Sequence, residues 1–485
     1  LIAFGCAVGL LYMFGIEQYR IKPEKALDGT VQNLQITVSD YGVTGKTGTS
    51  VEGTFLLNGR KTPVCVYLDE VADLAPSDQL SGAFYLRFTG HSGQYRNTFH
   101  QGNIVMLTAY SQGKVHIYHL QYGFPDLSAQ GIRKSIKESL DSLFPDDTAG
   151  FAIALLLGDS SGLSEQQDND LQNSGIRHII AVSGLHVSML FGLVNVLTGR
   201  RKRLCAMLGI PLLFVFAAVA GFTPSVLRAC IMQTILLLSY LSKRDYDPLT
   251  SLSVAVLIIL GINPLALTSI SFQFSGLCVL GITLYGGKLY SFLLSAPWLQ
   301  KLKSHKLWGK VIRGVCLSIS VSLCSMLFTL PLSAYYFGIV SVVSILTNLL
   351  TLWLITYIFC SLPICCLLGA VYGPLGTLLA KIISLLIRFV LLVSGALADL
   401  PYASIGIHNV YLVTWLVFAY AMIMINLALK KKKPLLTASC VCLGLCAALT
   451  FTAAEYRNCD YQVTVLDVGI STISNRKNSL SYNFF

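Results

Sequence analysis

Four polar or ionisable side chains lie close together at the start of one apolar segment. Arg177, His178, Ser183 and His186 all fall within residues 175–192. Such side chains are costly in hydrocarbon, so in membrane proteins they usually face a bundle interior or a watery path. Ser183 and His186 are three residues apart and would share one face of a helix. The spacing predicts a helix that presents polar groups to a path, although static hydrogen bonding in a membrane helix would give the same pattern.

Small residues follow another face of the same segment. Ala181, Gly184, Ser188 and Gly192 recur at helical spacing. Small residues in such a row let a second helix approach closely. We therefore expect one face of this helix to pack through Gly184 and its neighbours while the other face presents the polar groups.

The composition is that of a polytopic membrane protein. Of 485 residues, 54% are hydrophobic and only 12% are charged, which is about half the charged share of a soluble domain. The net charge of +11 comes from basic clusters between apolar runs, and membrane topology explains most of it. The charge therefore does not require a nucleic-acid surface.

Most of the 14 cysteines lie in apolar runs, where cysteine behaves as a small hydrophobic residue. Cys65 and Cys459 are the two in polar segments. A disulfide between them is possible if both face an oxidising side, but the sequence does not give connectivity.

The N-terminal part changes character after a short apolar segment. Residues 1–16 are apolar but short for a membrane span, and we expect them to be part of a first membrane helix. Residues 20–127 are mixed polar, with alternating runs separated by Gly, Asn and Ser turns. This pattern predicts a small β-barrel of OB-like size, a fold often used for oligonucleotides.

From residue 128 onward the chain predicts a helical membrane domain that extends to 454. With the N-terminal helix, we expect about 10–11 membrane helices. The apolar segments fall near 179–197, 204–221, 225–241, 250–262, 266–286, 311–332, 339–358, 375–397, 410–429 and 435–454. If these segments cross the membrane in turn, all the basic clusters fall on one side, which should be the cytoplasm. The clusters are 200–203, 243–244, 301–313 and 430–433. The β domain and the C-terminus would then be external.

Three further polar residues interrupt the apolar segments. Arg228 is close to the outer end of its predicted helix, where its side chain could snorkel to the interface. Gln273 and Asn348 are amides, and a single amide in a membrane helix often makes an interhelical hydrogen bond. Taken together, the three residues favour a polar path through the bundle.

The chain lacks the sequence patterns of a motor ATPase and of a metal site. It has no GxxxxGK[ST] sequence, so it does not resemble a motor ATPase. Its histidines are scattered rather than clustered as metal ligands are. We assign no catalytic residue and no metal ligand, and we expect no cofactor.

Several motifs resemble the signature of the ComEC family of competence proteins. The main ones are Gly158-Asp159, Gly175-Ile-Arg-His178 and Ala181-Val-Ser-Gly-Leu-His-Val187. Others follow in order: Pro224 to Ala229, Asn263-Pro264, Ser271 to Ser275, Leu330-Pro331 with Phe337, and Asn348-Leu349. The resemblance covers roughly residues 20–470. It implies an external OB-like domain, a membrane domain that passes single-stranded DNA, and often a C-terminal metallo-β-lactamase-like nuclease domain.

The resemblance ends within the C-terminal segment, 455–485. Residues 461–469 resemble the first strand of the nuclease domain, but the family pattern is lost after Gly469. We expect this segment to be a truncated start of that domain, without its metal ligands. The chain itself is then not expected to be an enzyme.

The predicted function is transport of single-stranded DNA across the cytoplasmic membrane during natural transformation. The functional core would comprise Asp159, His178, Ser183, Gly184, His186, Arg228, Gln273 and Asn348. The barrel would receive DNA by stacking and basic contacts, with Tyr85, Arg87, Phe88 and Tyr95 as candidates. The resemblance implies a DNA receptor and a cytoplasmic motor protein as partners, and a homo-oligomer is possible.

Two other classes of function remain open. Ala181-Val-Ser-Gly184 approaches the nucleophile turn of an intramembrane serine protease, but position 181 is Ala and no general base on a second helix can be assigned. A small-molecule secondary transporter is the other alternative, although no inverted repeat is evident between the two halves.

Overall fold

The computed structural model describes residues 2–44, 48–88, 107–119, 128–180, 182–242, 245–296, 306–407, 409–428 and 434–458. Nine strands have the bounds β1 Val31–Val38, β2 Val43–Thr44, β3 Thr49–Leu57, β4 Arg60–Leu68, β5 Gln79–Phe88, β6 Leu107–Ser111, β7 His116–Tyr118, β8 Ile339–Ser341 and β9 Ser404–Gly406. The helices before the main bundle are α1 Ile2–Ile16, α2 Lys22–Lys25, α3 Ala129–Leu143, α4 Asp146–Leu157, α5 Glu165–Asn173 and α6 Arg177–Ile180. The bundle helices are α7 Gly184–Leu197, α8 Lys202–Val219, α9 Pro224–Ser242, α10 Pro248–Ile262, α11 Ile270–Gly281, α12 Gly287–Leu294, α13 Lys306–Phe337, α14 Ser344–Val371, α15 Gly373–Ala398, α16 Val410–Ala428 and α17 Pro434–Asn458.

The N-terminal strands form a closed five-stranded barrel. Its order is β1-β3-β4-β6-β5, and β5 pairs back onto β1. The β4–β6 pairing is parallel and the others in the ring are antiparallel. Alternate residues point inward, as in β4, where Val64 and Val66 are buried. The prediction of a small β-barrel is confirmed, and five strands is the number that an OB-fold has.

The β3–β4 hairpin shows how local sequence sets this geometry. Asn58 and Gly59 connect the strands, and both have positive φ angles, 51° and 78°. A two-residue Asn-Gly turn has the backbone twist that matches paired antiparallel strands. The turn therefore sets the β3–β4 register, in which Leu57 is opposite Arg60.

The first helix leads into the barrel without a break. α1 continues through one π-helical turn, Glu17–Ile21, into α2. The Tyr12 hydroxyl donates to the Gly261 carbonyl oxygen at 2.7 Å, which fixes α1 against the end of α10. The helix is thus packed against the bundle before the chain enters β1.

Within the described part of the chain, six helical stretches are long and apolar enough to cross a membrane. They are α8, α9, the run from α11 to α12, most of α13, α14 and α15. Shorter apolar helices occur in α7, α10, α16 and α17. Each predicted apolar segment therefore overlaps one helix of the bundle, because hydropathy alone is enough to locate such segments.

One buried helix lies outside those predictions. In α4 every residue from Thr148 to Leu157 is buried. Most of these residues pack in a hydrophobic core that also contains residues of α7, α9, α14 and α15. The preceding helix, α3, packs on α4, α8 and α14. The helical domain therefore has a short buried helix at its centre, upstream of the first predicted apolar segment.

Candidate functional site

The predicted central helix is interrupted at its polar end. α6 ends at Ile180 and α7 begins at Gly184, with Ser183 in extended backbone as the N-cap residue. The Leu185 N–H donates to Ser183 Oγ at 3.3 Å, and the Ser183 N–H donates to His186 Nδ1 at 3.1 Å. The prediction of one continuous helix was therefore wrong. Ser183 and His186 are three apart because they form a capping box, in which each side chain satisfies a backbone N–H of the first turn.

His186 is completely buried where α7 meets α14. Its exposed fraction is 0%. The ring lies edge-on to Phe359, with 5.0 Å between ring centroids. Its Nε2 is buried and makes no hydrogen bond of normal geometry to a described residue, although the Leu155 backbone lies close to the ring. Since Nδ1 accepts from the backbone, the neutral ring carries its proton on Nε2, which is thus a buried donor.

Gly184 is the point where α7 and α9 approach closely. A methyl group at this position would lie 3.4 Å from Ala229 Cβ and 3.8 Å from Arg228 Nη2. The expected small-residue contact is confirmed at Gly184. A methyl group at Gly192, by contrast, would meet no described atom within 4 Å. Ala181 lies outside the described residues.

Arg228 is the largest fully buried side chain in the described structure. Only 1% of it is exposed. The prediction that it snorkels to the interface was wrong, because its face of α9 is covered by α7 and α11. Its Nε and Nη1 make no hydrogen bond to described residues. A buried guanidinium without a bound anion is costly, so this position is a strong candidate for function.

The helix that carries Arg228 belongs to a closed ring of helix contacts. α7 packs on α9, α9 on α11, α11 on α13, α13 on α14, and α14 on α7. The α9–α11 contact includes a hydrogen bond from Ser225 Oγ to Ser275 Oγ at 3.1 Å. On α14, Asn348 Oδ1 is buried without a partner among the described residues. Three helices of the ring therefore each contribute a buried polar group that the described contacts leave unsatisfied.

Gln273 belongs to this ring but has a structural role. Its Nε2 donates to the Leu267 carbonyl oxygen at 2.9 Å, and its Oε1 accepts from the Tyr336 hydroxyl at 3.0 Å. Both ends of the amide are satisfied. Gln273 thus makes the interhelical hydrogen bond that the sequence favoured for an isolated amide.

Asp159 and His178 also have local partners. Asp159 accepts from Lys137 Nζ at 2.7 Å and from the Ser161 hydroxyl at 2.6 Å. Burial alone would raise the pKa of Asp159, but the hydrogen bonds from Lys137 and Ser161 lower it to about 2. His178 is exposed, and its Nδ1 donates to the Gly175 carbonyl oxygen at 2.9 Å. These two residues fix the chain on either side of α5.

The predicted DNA contacts of the barrel divide between its two faces. Phe88 is only 5% exposed and packs in the barrel core, so its assignment as a DNA contact was wrong. Side chains alternate along a strand, and Phe88 therefore points away from Arg87. Arg87 is exposed and Tyr85 is half-buried on the outer face. Tyr95 lies outside the described residues.

A pair of tyrosines on the outer barrel face was missed. Tyr67 on β4 and Tyr110 on β6 stack with 5.4 Å between ring centroids and an interplanar angle of 16°. Tyr110 is also in register with Tyr85 on β5. The alternation in each strand predicts that these side chains point outward. Their proximity depends on the β4–β6 and β5–β6 pairings, which the sequence does not contain.

Two other predictions concern cysteines and metals. Cys65 lies on β4, but Cys459 is outside the described residues, so the disulfide stays a prediction. Within the described ranges, no three His, Cys, Asp or Glu side chains are grouped closely enough to hold a metal ion.

The fold and the site together define a class of protein: a bundle of long apolar helices with an attached small β-barrel and buried polar groups on its helices. Comparison with known proteins identifies the family. Residues 155–433 match the family described as Competence protein, and the chain belongs to that family. It is accordingly a membrane protein.

Two relatives indicate how far the similarity extends. ComE operon protein 3 of Bacillus subtilis (strain 168) is 28% identical over 354 residues, covering 70% of this chain and 42% of that protein. Recombination protein 2 of Haemophilus influenzae is 26% identical over 209 residues, covering 41% of this chain and 26% of that protein. The chain thus spans less than half the length of these curated relatives. No solved structure matches it.

Proposed function

We propose that this chain takes part in DNA uptake during competence by passing single-stranded DNA across the cytoplasmic membrane. Membership of the competence family supports the process. The observation that carries the proposed path is Arg228, a buried cation with no hydrogen-bonded partner at Nε or Nη1 among the described residues. The path would follow the ring of α7, α9, α11, α13 and α14.

A DNA phosphate is the anion that best suits this guanidinium. Arginine binds phosphate through two parallel N–H donors, and the pairing gains strength where water is excluded. Gly184 lies directly beside Arg228, and a methyl group there would be 3.8 Å from Nη2, so a larger residue at 184 would crowd the guanidinium. His186 Nε2 and the amide of Asn348 would offer further polar contacts along the same ring.

The barrel would receive DNA on its outer face. Stacked aromatic rings bind bases without sequence preference, and a nearby arginine adds a phosphate contact. Tyr67, Tyr110, Tyr85 and Arg87 supply these groups. In this proposal the barrel and the C-terminus are external, and a DNA receptor and a cytoplasmic motor protein act with the chain. The chain needs no cofactor and catalyses no reaction.

A serine protease remains a second candidate because Ser183 Oγ lies 3.3 Å from His186 Nδ1. The capping box explains this distance without catalysis, since both residues bind backbone groups of the same helical turn. A catalytic histidine also needs a group that orients its second nitrogen. His186 Nε2 makes no hydrogen bond of normal geometry to a described side chain.

Replacing Arg228 by methionine tests the proposed path. The substitution keeps an apolar stem of similar length and removes the charge. We expect DNA uptake in a strain lacking its own competence protein to fall by about tenfold or more, since hydrogen bonds to charged groups contribute about 1.5–3 kcal/mol. Membrane abundance should be unchanged or higher, because an unpaired buried charge is lost. Uptake and abundance are measured in the same cells.

Two further variants separate the alternatives. Lys381→Met removes an exposed cation from α15, outside the ring, and should leave uptake unchanged. Ser183→Ala should retain most uptake if the chain is a channel and abolish activity if Ser183 is a nucleophile. Normal uptake by Arg228→Met, at normal abundance, would show that Arg228 is not on the DNA path.

A further inference from the structure

A cleft of about 330 Å³ lies at the foot of the barrel, between the π-helical turn that follows α1 and the β3–β4 hairpin. Its polar lining includes Gln18, Arg20, Glu24, Asn58 and Arg60. Neither the proposed DNA path nor the aromatic face of the barrel uses this cleft. Its volume is at the small end of the range for ligand pockets.

Glu24 is an unsatisfied acceptor in the wall of this cleft. Only 1% of the residue is exposed, and neither carboxylate oxygen accepts a hydrogen bond from a described residue. The Arg20 Nε is 3.8 Å from Oε1, beyond hydrogen-bond distance. Buried carboxylates are almost always hydrogen-bonded. Burial raises the pKa of Glu24 to about 7 even though Arg20 and Arg60 act in the opposite direction. The site therefore lacks a hydrogen-bond donor for this carboxylate.

Two guanidinium groups give the same cleft a cationic side. Arg60, the first residue of β4, is exposed. Its Nη1 donates to the Tyr19 carbonyl oxygen at 3.5 Å. Arg20 interacts electrostatically with both Glu24 and Arg60. A ligand that fits must therefore bring an anionic group for the arginines and a donor, preferably cationic, for Glu24.

We propose that this cleft binds the phosphoethanolamine headgroup of a membrane phospholipid. The headgroup phosphate would pair with Arg60 and Arg20, and its ammonium would donate to Glu24. A DNA phosphodiester offers no hydrogen-bond donor to the carboxylate, and inorganic phosphate offers no cationic donor. A phosphatidylcholine headgroup has the same charges but no N–H group to donate.

The position of the cleft identifies a lipid as the source of this group. The cleft begins directly after the apolar helix α1, and Tyr19 at its edge is 83% exposed, as aromatic residues at a membrane interface are. Leu10, Leu11 and Phe14 are exposed on α1, where acyl chains would lie alongside them. The inference does not depend on DNA passage.

The test is native mass spectrometry of the full chain in detergent, titrated with dihexanoylphosphatidylethanolamine. We expect a saturable one-to-one adduct. Dihexanoylphosphatidylcholine, soluble phosphoethanolamine, inorganic phosphate and a short oligothymidylate are titrated in parallel. Each should bind more weakly by about tenfold or more, since each lacks either the donor or the acyl chains. Equal binding of the choline lipid, or displacement of the ethanolamine lipid by the oligonucleotide, overturns the proposal.

Two substitutions locate the adduct. Arg60→Gln should weaken it by about tenfold, while Lys61→Gln, the same charge loss one residue further along β4, should not change it. Glu24→Gln should abolish the preference for the ethanolamine over the choline lipid. Because Arg60 is exposed, its variant is expected to fold even if the Glu24 variant does not. Identical binding by Arg60→Gln and Lys61→Gln would place the adduct elsewhere and overturn the proposal.

Discussion

At the scale of single residues, the polar groups of the bundle fall into two kinds. Gln273 and Asp159 have all the partners they need within their own neighbourhood. His186 Nε2, Arg228 and Asn348 Oδ1 are buried with unmet hydrogen-bonding capacity among the described contacts. Unsatisfied buried groups cost about 1–3 kcal/mol each, and more when charged. A ligand that passes these unsatisfied groups would therefore gain the most free energy by hydrogen bonding to them.

Glu24 should make stability depend on pH. Burial raises its pKa from 4.5 to about 7, so the folded state retains a proton that the unfolded state has already released. The stabilisation is complete below pH 4.5 and is lost as pH rises to about 7. We expect the free energy of unfolding to fall by roughly 1–3 kcal/mol across this window from this group.

The measurement is thermal unfolding of the full chain in detergent at several pH values in this window. Glu24→Gln cannot ionise and should flatten the dependence, while Glu17→Gln, an exposed change directly before the first cleft residue Gln18, should not. The same slope in wild type and Glu24→Gln would show that Glu24 does not titrate in this way.

At the scale of elements, α4 is a buried helix that packs on α3, α6, α14 and α15. It is too short to cross a membrane, yet its residues from Thr148 to Leu157 are all buried. The turn that follows it returns very close to its first half, since a methyl group at Gly150 would lie 2.0 Å from the Gly162 carbonyl oxygen. Only glycine at 150 allows that approach.

Gly150→Ala should therefore displace the 160–162 turn from α4. We expect a loss of about 1–3 kcal/mol in stability, as for other overpacked cores, and a lower membrane abundance. Gly192→Ala is the matched control, because no described atom lies within 4 Å of the added methyl group. Comparable abundance of the two variants would show that the turn can move at little cost.

At the scale of the whole molecule, the barrel is attached to one end of the bundle. Leu265, between α10 and α11, packs with the barrel core. Lys134 Nζ on α3 lies 4.4 Å from the centroid of the Tyr41 ring, in the loop between β1 and β2. The strands β8 and β9 pair with each other, so the segments before α14 and after α15 also share one end. These contacts agree with a topology in which the barrel and these connections are on the same side.

Cysteine labelling tests that topology. In a Cys65→Ser background, Asn58→Cys on the exposed β3–β4 hairpin should react with a membrane-impermeant maleimide in intact cells. Arg201→Cys, in the basic segment between α7 and α8, should react only after permeabilisation. Labelling of Arg201→Cys in intact cells would contradict an external barrel combined with cytoplasmic basic clusters.

The sequence by itself determined the local structure and the family. Alternation with a period of two marks the barrel strands, and long apolar runs mark the bundle helices, because each pattern depends only on which face of a segment is buried. The sequence also shows that Phe88 and Arg87 cannot face the same side of β5, because adjacent residues of a strand point to opposite faces. The motifs around residues 158–187 resemble the family that the comparison then showed.

Only the tertiary structure decided which polar groups meet. The burial of α4 and the covered position of Arg228 both depend on neighbours far away in the chain. The stacking of Tyr67 on Tyr110 likewise requires the β4–β6 pairing. Periodicity shows that a face is apolar or polar, but it does not show which other element covers that face. For that reason the buried helix was missed and Arg228 was placed at the interface, whereas the packing of the ring helices puts it inside the bundle.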